Sequence, residues 1–206
     1  MTKKIFFLSF LFVFFAVGYA LAADITLPSP EKTGGLPVFD TLANRSSAKQ
    51  DIFENKEIPL KDLSTLLWAA TGKNRDKGWT VPMGMGSEPY LIVNVLLKEG
   101  IYEYDWDKNR LLQVSERNML SRAGRQEFLQ TAPCILVFAT KGAGPRVDNW
   151  AEIAAGAMSQ NVYLASEALG LKARYMASFN NESLLSAMEM NPLARIIAIM
   201  PIGYQN

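Results

Sequence analysis

The chain has 206 residues, with 21 Lys and Arg against 20 Asp and Glu, a formal net charge of +1, no histidine and one cysteine. The missing histidine excludes Ser-His-Asp and Cys-His catalysis and the histidine-containing zinc patterns. A near-neutral body without a basic block speaks against a nucleic-acid partner, and a lone cysteine allows no internal disulfide.

Met1-Thr2-Lys3-Lys4, an apolar run from Ile5 to Tyr19 and Ala20-Leu21-Ala22 before Ala23 have the form of a secretory signal peptide. The run is short for a membrane span of ~20 residues. We expect cleavage before Ala23, a periplasmic or secreted protein without stable membrane insertion, and one domain over 23–206; an uncleaved anchor is the alternative. Losing Lys3 and Lys4 takes the charge from +1 to −1. Leu27-Pro-Ser-Pro30 and Glu31-Lys-Thr-Gly-Gly35 then read as a surface lead-in.

The first predicted helix carries Val38, Phe39 and Leu42 inward and ends near Asn44. Arg45-Ser46-Ser47-Ala48-Lys49 follows, and in an extended segment alternate residues share a face. Arg45, Ser47 and Lys49 could then grip one anionic group, or the segment is a solvated loop. After Pro59, Leu60, Leu63, Leu67 and Ala70, with Leu66 beside them, predict a well-buried helix that stops at Gly72. Lys73 to Gly78 is a charged loop. Trp79 to Pro89 is rich in glycine and proline and enters a strand from Tyr90 to Leu97. Such a bend is either an ordinary turn or a place where backbone approaches a planar ligand.

Gly100 to Asp105 and Leu111 to Val114 read as two strands joined by a turn at Trp106 to Asn109. Arg117 to Thr131 is a helical stretch interrupted near Gly124, with Met119, Leu120, Phe128 and Leu129 apolar. Pro133 to Thr140 has the length of a central strand, with Cys134 as a small core residue rather than a nucleophile. Gly142, Gly144 and Pro145 mark a loop. The longest helix is predicted from about Asn149 to Leu169; it is apolar around most of its circumference, with small residues at Ala151, Ala155 and Gly156 for close packing. Buried Gln160 and Asn161 there need partners, from neighbouring backbone or a cofactor edge. A strand from Ala173 to Ser178, a helix from Asn181 to Met190 capped by Asn180 or Asn181, and a strand from Ala194 to Pro201 complete the chain. The expectation is one α+β domain, a central mixed sheet with helices on both faces.

The Arg-x-Ser-x-basic element followed by "LxDLSxLLWAAxG" resembles the opening of the nitroreductase family of flavin enzymes. "LPxPxxxGG" before it and "GxYxYDxxxNxLxxV", "GxxSQNxxL" and "PxGY" after it extend the resemblance from about Leu27 to Tyr204. The resemblance implies a nitroreductase-like fold with a mostly antiparallel sheet, FMN as cofactor, and a homodimer with flavin at the subunit boundary. It places Arg45, Ser47 and Lys49 on the phosphate and ribityl chain, and Pro82, Met83, Gly84 and Gly86 along the ring. Gln160 is a candidate cofactor contact, and Met176 and Ala177 sit in the stretch Tyr175 to Ser178 that faces the ring from another side. Where the family has Pro-Ser-Ala and then Asn, Met83, Gly84 and Gly86 replace the last three, and no cation follows Arg195 where members often hold the phosphate with one.

These features imply an FMN-dependent oxidoreductase passing two electrons through flavin N5 to a small-molecule acceptor, with no catalytic side chain strictly required and no metal. An exported protein meets no free NAD(P)H, so its donor is a quinol, another protein or something unknown. The alternative is a noncatalytic exported protein whose degenerate flavin cleft binds a small molecule or a partner. A third reading, peptide dehydrogenation as in the family's azoline-oxidising branch, is disfavoured by the signal sequence.

Overall fold

A computed structural model describes residues 23–82, 89–142 and 144–205. The signal-peptide residues and the ring-lining positions Met83, Gly84 and Gly86 lie outside the described residues.

Seven strands form one sheet: β1 (Ile25–Thr26), β4 (Leu91–Leu97), β5 (Gly100–Asp105), β6 (Arg110–Ser115), β7 (Cys134–Thr140), β8 (Lys172–Ala173) and β9 (Ile196–Gly203), in the order β1-β6-β5-β4-β7-β9-β8. Every neighbouring strand pair is antiparallel, and the parallel component of the expected mixed sheet is one bridge, Ser47 to Ala173. β2 (Lys73–Arg75) and β3 (Gly78–Trp79) form a separate small hairpin where the sequence suggested a plain charged loop.

All seven residues of β7 are buried, because both faces of the sheet are covered at its centre. Cys134, Leu136 and Phe138 meet α2 (Leu60–Thr71) and α3 (Pro145–Ala168) on one face. Ile135, Val137 and Ala139 meet the other layer, made of 3₁₀ turns at Leu120–Arg122 and Glu127–Gln130 and of α4 (Asn181–Ala187). Alternation along a strand sends successive side chains to opposite faces, so a near-continuous apolar run is what a doubly covered strand requires.

α2 starts after Pro59 and buries Leu63, Leu66, Leu67 and Ala70, each apolar side chain of Leu size contributing roughly 1.5–3 kcal/mol. Leu60, expected inside, is 43% exposed at the first turn. α3 is four residues longer at its start than expected. Gly144 takes φ 106° and Pro145 occupies the first helical position, where its missing N–H costs nothing. The predicted helix over 117–131 is two 3₁₀ turns. The strand over 173–178 reduces to β8 and a bridge from Met176 to Ile199. Asn180 sits at the cap position of α4, but its side-chain amide donates to Arg122 O at 3.2 Å instead of capping the helix.

The largest departure is α1 (Val38–Asn44). Its length matches the prediction, but Val38, Phe39 and Leu42 are 58%, 80% and 48% exposed and Thr41 is its buried residue. Periodicity identifies the apolar face of a helix but not the body that covers it. Here the chain's own core lies on the other side.

Candidate functional site

Leaving α1, Arg45 turns to extended backbone at φ −55° and ψ 122°. Ser47 bridges Ala173 of β8, and the Ala48 N–H donates to Ala173 O at 2.7 Å. This pairing sets residues 45–49 alongside β8 at the edge of the sheet. Ala48 points inward and is 1% exposed, so Arg45, Ser47 and Lys49 occupy the alternate, outer positions.

Two of those side chains converge on Tyr163 of α3. The Arg45 guanidinium carbon lies 5.1 Å from the Tyr163 ring centroid, a cation–π contact. Ser47 Oγ lies 3.0 Å from Tyr163 Oη, which also accepts the Tyr175 N–H at 2.7 Å. Lys49 is set from below by Gln205. The Gln205 Oε1 accepts the Lys49 N–H at 2.9 Å, while its Nε2 donates to Lys49 O at 3.3 Å and Asp51 O at 2.8 Å. Arg174, one residue beyond β8, donates from Nη1 to Ala48 O at 2.7 Å and adds a third guanidinium or ammonium group to this edge. A cavity of about 210 Å³ beside Lys49 is lined by Asp51 and Glu54 among others, and those carboxylates make it a poor seat for an anion.

α3 also supports the second expected wall. Asn161 Nδ2 donates to Ala69 O at 3.0 Å and to Thr80 O at 3.2 Å, which ties α3 to the last turn of α2 and to the segment entering residues 83–88. Thr80 is further held through its N–H to Gly72 O at 2.9 Å and its hydroxyl to Trp68 O at 3.1 Å. Pro82, the last described residue of that segment, is exposed. The Asn161 amide thus finds neighbouring backbone, one of the two partners expected. Gln160, in contrast, is exposed, because it lies on the face of α3 turned away from the sheet. Met176 points into the core with α4, and its N–H and carbonyl both pair with Ile199; Ala177 is exposed.

Cys134 is fully buried and burial pushes its thiol up to about 12, so it is a packing residue without nucleophilic character. No cluster of carboxylates or thiols able to hold a metal occurs among the described residues, and no helix among them is long and apolar enough to cross a membrane. The outer edge 45–49 carries a concentrated set of anion-directed donors: two cations and a hydroxyl, all able to donate to phosphate oxygens.

Tyr163, Arg174 and Gln205 escaped the sequence reading. Tyr163 occupies an unspecified position of "GxxSQNxxL", and a hydroxyl on so apolar a helix was the available signal. Gln205 stands directly after "PxGY", where the resemblance implies a basic residue, and acts through backbone instead.

An antiparallel sheet between two helical layers, with this cationic segment against the long helix, defines an α+β fold of the layered kind. The sequence profile of the Nitroreductase family matches residues 42–204, and the chain belongs to that family. A solved structure from Ralstonia eutropha, described as a candidate nitroreductase, is 34% identical, covers 89% of this chain and 90% of its own, and superposes with a TM-score of 0.81. A Methanocaldococcus jannaschii protein, also described as a candidate nitroreductase, is 26% identical over 87% of this chain and 96% of its own length. An FMN-dependent nitroreductase of Clostridium difficile, 16% identical over 82% of this chain and 87% of its own, shares the fold with a TM-score of 0.59.

Proposed function

We propose that the chain is an FMN-dependent oxidoreductase of the nitroreductase type that delivers two electrons to a small-molecule acceptor, and that it works as an exported homodimer. The observation that carries the reading is the convergence of Arg45 and Ser47 on Tyr163, with Lys49 next on the same face of one edge strand. Bound FMN would supply two-electron hydride chemistry at its N5. The chain's part is grip and placement. Arg45 and Lys49 would neutralise the phosphate, and Ser47 would donate to it or to the ribityl chain. Asn161 and Thr80 hold the entrance to the segment expected along the ring.

Homodimer formation is supported by the apolar surface of α1 and by α3, where Ile153 is 63% exposed and a Cβ added to Gly156 would meet open space. Export is supported by the basic, apolar and small-residue succession of residues 1–22. Intact mass of the protein recovered outside the cytoplasm should begin at Ala23.

The test is direct. Residues 23–206, expressed with excess riboflavin, should give a yellow protein whose visible absorbance bleaches with dithionite. Arg45→Ala should then release FMN far more readily than riboflavin, because the contact removed is with phosphate. Colourless protein that refuses added FMN would refute the enzyme reading and leave the noncatalytic binding protein. Equal losses for both flavins would show that the phosphate sits elsewhere.

A further inference from the structure

We infer that Tyr163 is a positioning residue: its hydroxyl fixes the Ser47 hydroxyl as an outward hydrogen-bond donor and its ring holds Arg45 beside it, so that the edge strand selects a phosphorylated ligand over its unphosphorylated counterpart. This rests on the FMN reading of the same site. Hydrogen-bond direction at the Tyr163 hydroxyl sets this arrangement. The Tyr175 backbone N–H can only donate, and at 2.7 Å it occupies an acceptor lone pair of Tyr163 Oη. The Tyr163 proton then finds Ser47 Oγ, 3.0 Å away, as the acceptor that the described residues offer. A phenol is the stronger acid and weaker acceptor of the two hydroxyls, which favours the same direction. With its oxygen accepting from Tyr163, the Ser47 hydroxyl turns its own proton to the exposed side of the strand. An acceptor-only group such as phosphate fits that arrangement, and a ligand hydroxyl can meet it only by accepting.

Arg45 depends on the same residue. A guanidinium 5.1 Å from the ring centroid is held along α3 instead of ranging through solvent, which lowers the ordering needed when an anion arrives. Ring and hydroxyl are separable by substitution. Tyr163→Phe keeps the platform and removes the chain Tyr175 N–H to Tyr163 to Ser47, whereas Tyr163→Leu removes both.

The experiment is fluorescence titration of the FMN-free protein with FMN and with riboflavin, for wild type, Tyr163→Phe, Tyr163→Leu, Ser47→Ala and the Ser47→Ala/Tyr163→Phe pair, with thermal melting of each unliganded protein. Wild type should prefer FMN. Tyr163→Phe should weaken FMN about tenfold, the size of one hydrogen bond to a charged group, and riboflavin less than about twofold. Tyr163→Leu should weaken FMN several-fold more. In the Ser47→Ala background the Phe substitution should have no further effect on FMN, because the hydroxyl it directs is gone. A full FMN preference in Tyr163→Phe, equal weakening of both flavins, or additive effects in the pair would overturn the inference while leaving the FMN reading standing. Wild-type protein that binds neither flavin overturns the two together; equal binding of both overturns the inference alone and moves the phosphate elsewhere. Unchanged melting temperatures exclude misfolding as the source of the loss; if Tyr163→Phe melts early, the additivity of the pair decides.

Discussion

Gln205 offers a sharp test of how the grip is assembled. Its amide makes three hydrogen bonds to the backbone of residues 49–51, at 2.9, 2.8 and 3.3 Å, the last too long to contribute much. These contacts are exposed, so we assign roughly 0.5–1 kcal/mol to each of the two short ones. Gln205→Ala should therefore loosen this segment by about 1–2 kcal/mol and raise exchange of the Lys49 amide by about tenfold, while the sheet and the global melting temperature change little. Gln205→Glu separates geometry from charge. It keeps an acceptor for the Lys49 N–H but turns carboxylate oxygen toward the Lys49 and Asp51 carbonyls, which need a donor. It also brings negative charge to the strand that should hold phosphate. FMN should bind Gln205→Glu more weakly than Gln205→Ala, with the gap closing as salt is raised. Amide exchange by NMR and FMN titration at two ionic strengths are the assays. Unchanged Lys49 exchange in Gln205→Ala, or FMN affinity of Gln205→Glu equal to wild type at low salt, would refute the reasoning.

Asn109 combines φ 47° with side-chain bonds to Tyr104, Pro28 and Ser64, so strain and hydrogen bonding can be separated there. Asn109→Gly should lose about 1–2 kcal/mol in urea unfolding through the bonds alone, and Asn109→Ala roughly 1 kcal/mol more through the left-handed backbone. Cys134 should resist a thiol reagent at pH 8 in the native protein and react once denatured, since burial holds its thiol far above its ordinary value. Glu103 is raised by burial, with Lys141 opposing and Asp105 reinforcing. A carboxyl raised in the folded state loses stability as pH climbs from its unfolded value through its folded one. Glu103→Gln should therefore be more stable than wild type at pH 7, the gain vanishing below about pH 4 where both carboxyl forms are protonated; a difference independent of pH would contradict this.

The elements most legible in the sequence were those decided by local chemistry. α2 has a proline before it, a glycine after it and leucines at helical spacing; β7 is an uninterrupted apolar run of strand length. The alternation at 45–49 was also readable, because extended backbone alone puts Arg45 and Ser47 on one side. What meets them was not. Tyr163 is 116 residues from Ser47 and Gln205 is 156 from Lys49, and no periodicity links positions that the sheet order brings together. The α1 face failed for another reason: an apolar stripe implies cover without saying from which molecule. The burial expected of Gln160 is not met in the single chain, because α3 is apolar enough to suggest burial all round whereas one side of it is open.

The distances along the chain between the parts of the edge strand's support have a kinetic consequence. Arg45 to Lys49, Tyr163 and Gln205 meet only after β8 and β9 have joined the sheet, so the contacts from Ser47 to Tyr163 and from Lys49 to Gln205, 116 and 156 residues apart, are of high contact order. If residues 45–49 hold FMN as proposed, a partly folded intermediate would have no nucleotide site to offer. Ligand uptake would consequently mark the end of folding rather than guide it, and the rate at which colour appears during refolding would time the docking of the last strands.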